Sequence, residues 1–587
     1  MTKIILTNKA YVPADLVDMD KVEERFSAPI FDDMSCRTCY YQSQRPCNAC
    51  TTCPAFDGWL HLWKPIKVKG VDHVGIPLAN WRNSLTKLGV NLDDMDIDDL
   101  RPKIPFVTGL KFTGELFDER TPDRTNQVNI VDEFMRETKD RDYCGVILAL
   151  PRSGKSAMSL YIAIEELKMR TLITCSQIDW LEQFCTDLGF LTNMSELARR
   201  GKTPVVLISS KASSKKLEKI GVKVVKSWKQ VPKESDIVLC TYLQMKPGKD
   251  DTPGKPSAIL REFVLGKFTT LVVDEAHQGA ARVMGAILNN LDTTHRVALT
   301  ATPDRKDGQS FIVYKVLGPV SSVTDTPTMV PIFKLLQTNI QNAPETINGP
   351  AAYETWLAYN EDRNKVILKQ LFKDLEEDDD HCVLLPVRRV QHARELVKKI
   401  NQTAAYKNHK EGANWPIPLA TIFTGQQDRA QALEDARNFK VRVVVAIEKI
   451  VKHGISVAPW SHIYTGISPI SNGSMFFQLY SRVCTPYPKE WKSEKPQPIV
   501  RHMVDATSSS VKTLGNLYTS EYDSLKDALH KEPKRLKMAR EERDRMMYII
   551  GRPFAYFGSE KQDQLNRRRN SRIVGGFGGS KRTKDTR

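Results

Sequence analysis

The amino-acid sequence predicts an α/β protein built on mostly parallel sheets. Short apolar runs alternate with helical stretches through the middle of the chain, which is typical of consecutive β-α-β units. Three of these runs end in a glycine-lysine turn, a carboxylate pair and a Thr-Ala-Thr-Pro segment. Because open parallel sheets bind ligands at the carboxyl ends of their strands, these endings predict a binding edge. With 587 residues, the chain is too long for one core and is expected to form several domains.

The first candidate module is a cluster of cysteines between residues 36 and 53. Five of the eleven cysteines lie there, with the spacing C-x2-C-x7-C-x2-C-x2-C: Cys36, Cys39, Cys47, Cys50 and Cys53. Two thiolates on each of two tight turns are the donor set of a structural zinc site. Zinc needs four of the five ligands, and we favour Cys36, Cys39 and Cys50 with either Cys53 or Cys47. The run from Cys47 to Cys53 is also seen at iron–sulfur clusters, so a cluster is the alternative metal.

A phosphate-binding loop is predicted next, after an apolar strand at residues 145–150. Ser153-Gly154-Lys155-Ser156 opens a helix predicted over residues 155–169, where free N–H groups face an anion. Lys155 is expected to neutralise the β- and γ-phosphates of ATP, and the Ser156 hydroxyl to ligate Mg²⁺. Ala149 and Arg152 stand where glycines are usual.

The carboxylate pair follows another apolar strand, at residues 270–273. Asp274-Glu275-Ala276-His277 comes about 120 residues after the loop. We expect Asp274 to hold Mg²⁺ and Glu275 to orient or activate the attacking water. His277 is expected to link the nucleotide site to the next motif.

The string Leu299-Thr-Ala-Thr-Pro-Asp-Arg-Lys-Asp-Gly308 resembles the L-T-A-T-P-x-R-x-D-G motif of UvsW-like and XPB-like DNA helicases. The chain is therefore similar to superfamily 2 helicases of the DEAH type, closest in motif style to the UvsW-like, XPB-like and RecG-like enzymes of DNA. The resemblance implies two RecA-like domains over about residues 120–505, with ATP bound between them, and a phage or other virus as source.

Other positions are assigned by this resemblance alone. Arg124 and Gln127 resemble the element that reads the adenine edge, and Gly454 lies in the place of the fifth motif. Gln478 and Arg482 resemble the sixth motif, in which arginine stabilises the γ-phosphate. The second half departs from the pattern at three positions, namely Ser456, Ser481 and Thr485.

The composition and patterning give the expected domain boundaries. An N-terminal accessory region covers residues 1–118, two RecA-like domains cover 119–325 and 326–508, and a helical extension with a basic tail covers 509–587. An irregular stretch at 321–331 is expected to separate the RecA-like domains, and one helix is expected near 352–376. The net charge of +16 and the pI near 9.2 favour a polyanionic partner.

From these observations we expect an ATP-dependent DNA helicase or translocase. It is expected to unwind or branch-migrate forked or branched DNA in replication, recombination or repair. The expected cofactors are ATP, Mg²⁺ and Zn²⁺, and the partners are DNA and replication or recombination proteins. An RNA helicase, or an ATP-binding scaffold with little hydrolysis, are the alternatives. No apolar run approaches the ~20 residues of a membrane helix, so we expect a cytoplasmic protein, in the host cytoplasm if it is viral.

Overall fold

The structure is a computed structural model, and it describes most of the chain before residue 506. The described ranges are 3–31, 56–118, 126–149, 153–210, 214–246, 256–277, 282–301, 310–323, 329–338, 350–424, 429–451, 457–468, 479–485, 487, 491 and 494–505. The chain divides into two compact units, Met1–Thr328 and Met329–Arg587.

The first unit begins with a five-stranded mixed sheet of order β5-β6-β2-β1-β7. Its strands are β1 Lys3–Leu6, β2 Ala10–Pro13, β5 Lys64–Val68, β6 Val71–Ile76 and β7 Asp96–Asp99. A separate antiparallel pair is formed by β3 Ser27–Phe31 and β4 Phe56–His61. Two helices accompany these strands, α1 Met19–Phe26 and α2 Trp81–Lys87.

An eight-stranded parallel sheet is the centre of the first unit, with order β11-β10-β12-β9-β13-β14-β8-β15. Its strands are β8 Cys144–Leu148, β9 Thr171–Cys175, β10 Val205–Ile208, β11 Val222–Val225, β12 Ile237–Thr241, β13 Thr270–Val273, β14 His295–Thr300 and β15 Val320–Val323. Strands β9, β10 and β13 are buried along their whole length, as expected where helices cover both faces of a sheet.

Helices alternate with these strands. They are α3 Gln127–Thr138, α4 Lys155–Tyr161, α5 Ile178–Leu191, α6 Met194–Arg199, α7 Ser214–Lys219, α8 Arg282–Leu288 and α9 Ser310–Leu317. The helix α3 begins after Asn126, whose side chain accepts a 2.9 Å hydrogen bond from the Asn129 N–H and so satisfies one of the free N–H groups of the first turn.

The five-stranded sheet and the parallel sheet share one apolar core. Ile4 and Trp81 belong to the same buried cluster as Val146 and Leu172, whereas Ile147 lies in a cluster on the opposite face of the parallel sheet. Three polar contacts add to this packing: Lys9 Nζ donates to Asn289 Oδ1 at 2.8 Å, and Trp81 Nε1 and Arg101 Nη1 donate to the Asp142 carboxylate at 3.2 and 3.0 Å. The accessory region is therefore part of the first compact unit.

The second unit contains a six-stranded parallel sheet of order β16-β21-β20-β17-β19-β18. Its strands are β16 Ile332–Thr338, β17 Cys382–Val387, β18 Ala420–Phe423, β19 Val443–Ile447, β20 Trp460–Thr465 and β21 Ile499–Asp505. Its helices are α10 Pro350–Tyr359, α11 Glu361–Glu377, α12 Val390–Glu411, α13 Arg429–Arg437 and α14 Glu448–Val451.

The predicted fold class is confirmed as mixed α/β with parallel sheets, while two local expectations were wrong. The helix predicted over 155–169 is helical as far as Leu167, and its last part, Ile162–Leu167, is π-helical. The helix near 352–376 is two helices, because the side chain of Asn360 caps a new start by accepting from the Arg363 N–H. The stretch expected to be irregular from residue 321 begins inside β15, which pairs with β8.

Several expectations lie outside the described residues. They are the five cysteines of the predicted metal module, Arg124, Gly454, Gln478, residues 302–308 of the Thr-Ala-Thr-Pro string and the basic tail. Within the described ranges, no helix is both long enough and apolar enough to cross a membrane. No group of three or more His, Cys, Asp or Glu suited to a metal ion occurs in those ranges either.

Candidate nucleotide-binding site

The candidate site is built at the carboxyl edge of the eight-stranded sheet. Strand β8 leads to the phosphate loop. Its neighbour β14 ends at Thr300, and β13, on the far side of β14, leads to Asp274. The Ala149 N–H donates to the Thr300 carbonyl at 2.9 Å, and the Asp274 N–H donates to the Thr174 carbonyl at 3.1 Å. Hydrogen bonds that continue past the strand ends hold these segments in register, so the backbone of the site is fixed by the sheet.

The phosphate loop turns into helix α4 at Gly154. This glycine is the residue before the helix and has φ +80°, a left-handed conformation that L side chains rarely adopt. Ser153 before it is buried, and Lys155 and Ser156 after it are partly exposed. The structure therefore places the four predicted loop residues together at a helix start, where N–H groups point towards a bound anion.

Gln127 lies against this loop. Its Nε2 donates to the Ser153 carbonyl at 3.1 Å, and its Oε1 accepts from the Phe117 N–H at 3.2 Å. The residue is only 5% exposed. A Cβ added at Gly154 would come within 2.0 Å of the Gln127 Nε2. The side-chain amide thus supports the phosphate loop, with its donor and its acceptor both bonded to protein backbone.

The carboxylate pair has a distinctive local geometry. Glu275 has φ +50°, and its N–H donates to its neighbour Asp274 at Oδ1 over 2.9 Å. Residues with side chains seldom occupy this backbone region, and such strain is often found at functional sites. The turn sets the two adjacent carboxyl groups at the end of a strand whose interior is fully buried.

The electrostatics of this pair favour a cation. Burial, together with the negative charge of Glu275, raises the pKa of Asp274 to about 6, and the Lys155 ammonium offsets part of this increase. An upward pKa shift means that the folded site holds negative charge at a cost. A divalent cation beside Asp274 would remove that cost, so the donor chemistry fits Mg²⁺.

His277 connects the carboxylate pair to the next motif. Its Nδ1 lies 3.1 Å from Thr300 Oγ1 and 3.3 Å from Glu275 Oε2. Thr300 ends strand β14. The imidazole therefore touches both the residue expected to act on water and the start of the Thr-Ala-Thr-Pro segment.

Asp187 is a carboxylate near the site that the sequence did not single out. It lies on α5 and takes a hydrogen bond from the Ser156 side chain; burial raises its pKa, and the hydrogen bonds from Gln183 and Ser156 counter that increase. A contact to a predicted metal ligand makes it a candidate for orienting that ligand. Its signal in the sequence was weak, since an Asp at position 10 of a 14-residue helix also suits a solvated face.

In the second unit, Arg482 lies in a short 3-10 helix, Ser481–Val483, and is 7% exposed. Thr485 follows it with its carbonyl accepting from Lys495 Nζ at 2.6 Å. Gln478 and Gly454, assigned with Arg482 by resemblance, lie outside the described residues.

A parallel sheet with a glycine-lysine loop at one strand end and a carboxylate pair at another is typical of nucleotide-binding proteins. The family model described as "Type III restriction enzyme, res subunit" (ResIII) matches residues 121–305. That match spans both the loop and the carboxylate pair. It supports a superfamily 2 helicase type of ATP-binding segment for this part of the chain.

Two viral proteins are similar over longer stretches. "Putative helicase 22" of Sulfolobus islandicus filamentous virus is 22% identical over 323 residues, which is 51% of each protein. "Probable helicase D10" of Escherichia phage T5 is 27% identical over 226 residues, or 37% of this chain and 45% of the phage protein. The chain spans about half the length of these viral relatives.

One solved structure illustrates the distance to proteins of known structure. The ATP-dependent Type ISP restriction-modification enzyme LlaBIII bound to DNA aligns with 74% of this chain and 32% of its own, at 14% identity and a TM-score of 0.46. That TM-score is too low to support any conclusion about this chain.

Proposed function

We propose that the chain is an ATP-dependent helicase or translocase acting on DNA. The observation that carries the proposal is the arrangement at one sheet edge: the loop residues at the start of α4, the pair Asp274-Glu275, and the 3.1 Å contact between His277 and Thr300. The first two features suit hydrolysis of a nucleoside triphosphate. The contact between His277 and Thr300 would let the Thr-Ala-Thr-Pro segment respond to hydrolysis.

The residues of the site would act as follows. Lys155 and the N–H groups of α4 would hold the terminal phosphates, with Ser156 and Asp274 as ligands of Mg²⁺. When bound, Mg²⁺ would supply charge neutralisation on the phosphate oxygens. Glu275 would orient a water for attack and take up its proton, and general-base action of this kind contributes about 10²–10⁴-fold in rate.

The proposed DNA substrate follows from residues 299–308 and from the viral relatives. The similarity of residues 299–308 to UvsW-like and XPB-like enzymes supports DNA, and forked or branched DNA in particular. The two viral relatives are named as helicases, which supports a role in viral replication, recombination or repair. A zinc module at residues 36–53 is part of the proposal because the cysteine spacing fits a tetrahedral site.

The test is a substrate panel assayed for ATP hydrolysis and strand displacement together. Forks, four-way junctions, R-loops, duplex DNA, single strands and RNA are compared with wild-type protein, Lys155→Ala and Glu275→Gln. We expect branched DNA to stimulate hydrolysis, Lys155→Ala to abolish it, and Glu275→Gln to lower the rate by at least about 10²-fold while nucleotide still binds. Stimulation by RNA alone would refute the DNA substrate. Phosphate release no higher than that of Lys155→Ala on every substrate would refute hydrolysis and favour a nucleotide-binding scaffold.

A further inference from the structure

A run of exposed lysines occupies the open edge of the eight-stranded sheet. Strand β11 is an edge strand, since β10 alone pairs with it among the described residues. Seven lysines on α7, on β11 and on the segment that follows are exposed, and together they are called the lysine edge: Lys215, Lys216, Lys219, Lys223, Lys226, Lys229 and Lys233. With two glutamates in residues 214–234, this segment has a net charge of +5, against +16 for the whole chain.

The lysine edge is not neutralised within the described part of the chain. No ion pair or hydrogen bond of its side chains occurs there. Elsewhere in the same unit, basic side chains do find carboxylates, as Arg101 does with Asp99 at 2.8 Å and Lys168 does with Glu165 at 3.8 Å. A concentration of unpaired positive charge on one surface is the electrostatic footprint of a polyanion site.

The segment that carries these lysines is well anchored. Leu217 of α7 is buried, and so are Val222 and Val225 of β11. After the strand, Trp228 is buried, and its Nε1 donates to the Gln244 carbonyl at 3.0 Å. The Lys226 N–H donates to Gln230 Oε1 at 2.8 Å and closes the turn. Ordered backbone under the lysines limits the conformational entropy lost when a partner binds.

The position of the lysine edge excludes the bound nucleotide as its ligand. In the sheet order, β11 lies four strands from β13 and six strands from β8, which leads to the phosphate loop. At ~4.8 Å per strand, these separations are about 19 Å and 29 Å across the sheet. Lys226 and Lys229 follow the carboxyl end of β11, so they share the sheet edge of the nucleotide site without reaching it.

Protection of an open sheet edge is the simplest alternative role. Natural proteins place lysines on edge strands to prevent pairing with another chain. Lys223 alone lies within β11 and could serve that role. The other six lysines lie on α7 or beyond the strand, where they do not shield its backbone groups, so edge protection leaves most of the charge unexplained.

We propose that the lysine edge binds the phosphate backbone of duplex DNA outside the ATP site. Single-strand sites combine positive charge with exposed aromatic rings on which bases stack. The single aromatic residue of segment 214–234, Trp228, is buried, so charge without stacking favours the backbone of a duplex. This inference rests on the proposed function, and it adds a surface that would hold the duplex while the ATP site works.

The experiment measures duplex binding as a function of salt. A 20-base-pair duplex with a fluorescent label is titrated with full-length protein between 50 and 200 mM salt. The first variant carries Lys226→Gln, Lys229→Gln and Lys233→Gln and keeps Lys223. The second carries Lys215→Gln, Lys216→Gln and Lys219→Gln. The matched control removes three exposed lysines from helices α11 and α12 of the second unit: Lys369→Gln, Lys373→Gln and Lys398→Gln.

Each lost phosphate contact reduces the slope of log affinity against log salt by about 0.9 for duplex DNA. We expect each lysine-edge variant to lower the slope by up to about 2.7 and to weaken binding to all sequences alike. The control variant should keep the wild-type slope. Basal ATP hydrolysis without DNA should be unchanged in all three variants, because the parts of the nucleotide site lie ~19 Å and ~29 Å away.

The outcomes separate this inference from the proposed function. If the wild-type protein binds duplex DNA and both lysine-edge variants keep its slope, the inference is wrong and the helicase proposal stands. A variant that aggregates while its slope is unchanged would assign the lysines to edge protection. The inference would also be wrong if the variants lost affinity for oligo-dT but not for the duplex. Displacement of the duplex by polyglutamate at equal charge would overturn it as well. A wild-type protein that hydrolyses ATP yet binds no nucleic acid would refute the proposed function itself.

Discussion

Substitution of Gly154 by alanine tests how the phosphate loop is held. The new Cβ would lie 2.0 Å from Gln127 Nε2 and 3.1 Å from its Cδ. A contact of 2.0 Å cannot be relieved by small adjustments, so the Gln127 side chain must move. Its bonds to the Ser153 carbonyl and the Phe117 N–H would then be lost. The perturbation therefore combines backbone strain at φ +80° with the loss of two hydrogen bonds, one buried and one partly buried.

The magnitude follows from these two contributions. A left-handed backbone costs an alanine about 1–2 kcal/mol, and each lost hydrogen bond costs about 1 kcal/mol. We expect Gly154→Ala to lower the free energy of unfolding of the first unit by about 3 kcal/mol and to weaken ATP binding. Gly201 is a matched control, because it has φ +78° with nothing within 4 Å of its added Cβ. Gly201→Ala should cost only the strain, about 1 kcal/mol.

The loss in free energy of unfolding of each glycine variant is measured in the full-length protein by hydrogen exchange in increasing denaturant. The exchange is followed in the amides of strand β8. The difference between the two glycine variants should be about 2 kcal/mol, or close to 30-fold in the opening equilibrium. In a Gln127→Ala background the clash is absent, so the cost of Gly154→Ala should fall to that of Gly201→Ala. Equal costs for the two glycine variants in the wild-type background would refute the role assigned to Gln127.

Three further predictions concern the metal ligand and the second unit. Asp187→Asn should raise the Mg²⁺ concentration that half-saturates ATP hydrolysis by about 10–100-fold, because Ser156 loses an anionic partner. Asp374→Asn should destabilise the second unit by about 3–5 kcal/mol, since Arg501 Nε lies 2.5 Å from that buried carboxylate; thermal unfolding of the variant measures this. Burial lowers the pKa of His462 to about 3, from 6.5, so the unfolded chain binds protons that the folded state excludes. The second unit should therefore lose stability as the pH falls from about 6.5 towards 3, and denaturant titrations at several pH values test that slope.

Each of these three predictions has its own control. Asp140→Asn removes an exposed carboxylate of the first unit and should leave the Mg²⁺ dependence unchanged; an equal shift in both variants would contradict the role of Asp187. Tyr464 donates to Asp374 at 2.5 Å, so Tyr464→Phe should cost about 1 kcal/mol, less than Asp374→Asn. His462→Gln should reduce the pH dependence between 6.5 and 3 without abolishing it, because burial also lowers the pKa of His392 in the same unit to about 3. A variant with the wild-type slope would rule out His462 as a source.

The parallel sheets were predictable because their strands are continuous apolar runs. All four residues of Thr270–Val273 were predicted and are buried in the structure. The five-stranded mixed sheet was not predicted, because strands such as Lys64–Val68 and Asp96–Asp99 are short and polar on one or both sides. Their pairing depends on contacts between residues distant in the chain, for example Lys3 with Asp96.

In the candidate site, too, some residues could be identified from the sequence and others only from the structure. Lys155, Asp274 and Glu275 could be singled out because each follows a strand end within a recognisable string. Gln127 and Asp187 could not be given their contacts from the sequence. The partners of Gln127 are 10 and 26 residues away, and Asp187 meets Ser156 from another helix. Such contacts depend on how helices pack against the sheet, which short strings do not encode.

By itself, the sequence determined the fold class, the strand endings that carry the chemistry and the excess of positive charge. These properties are local, because apolar runs, glycine turns and charges are read from neighbouring residues. The tertiary structure alone decided that Gln127 supports the phosphate loop, that His277 meets Thr300, and that β11 is an edge strand beside lysines with no ion pair in the described part of the chain. Those features depend on the order of strands in the sheet, which is set by burial of apolar surface between segments far apart in the chain.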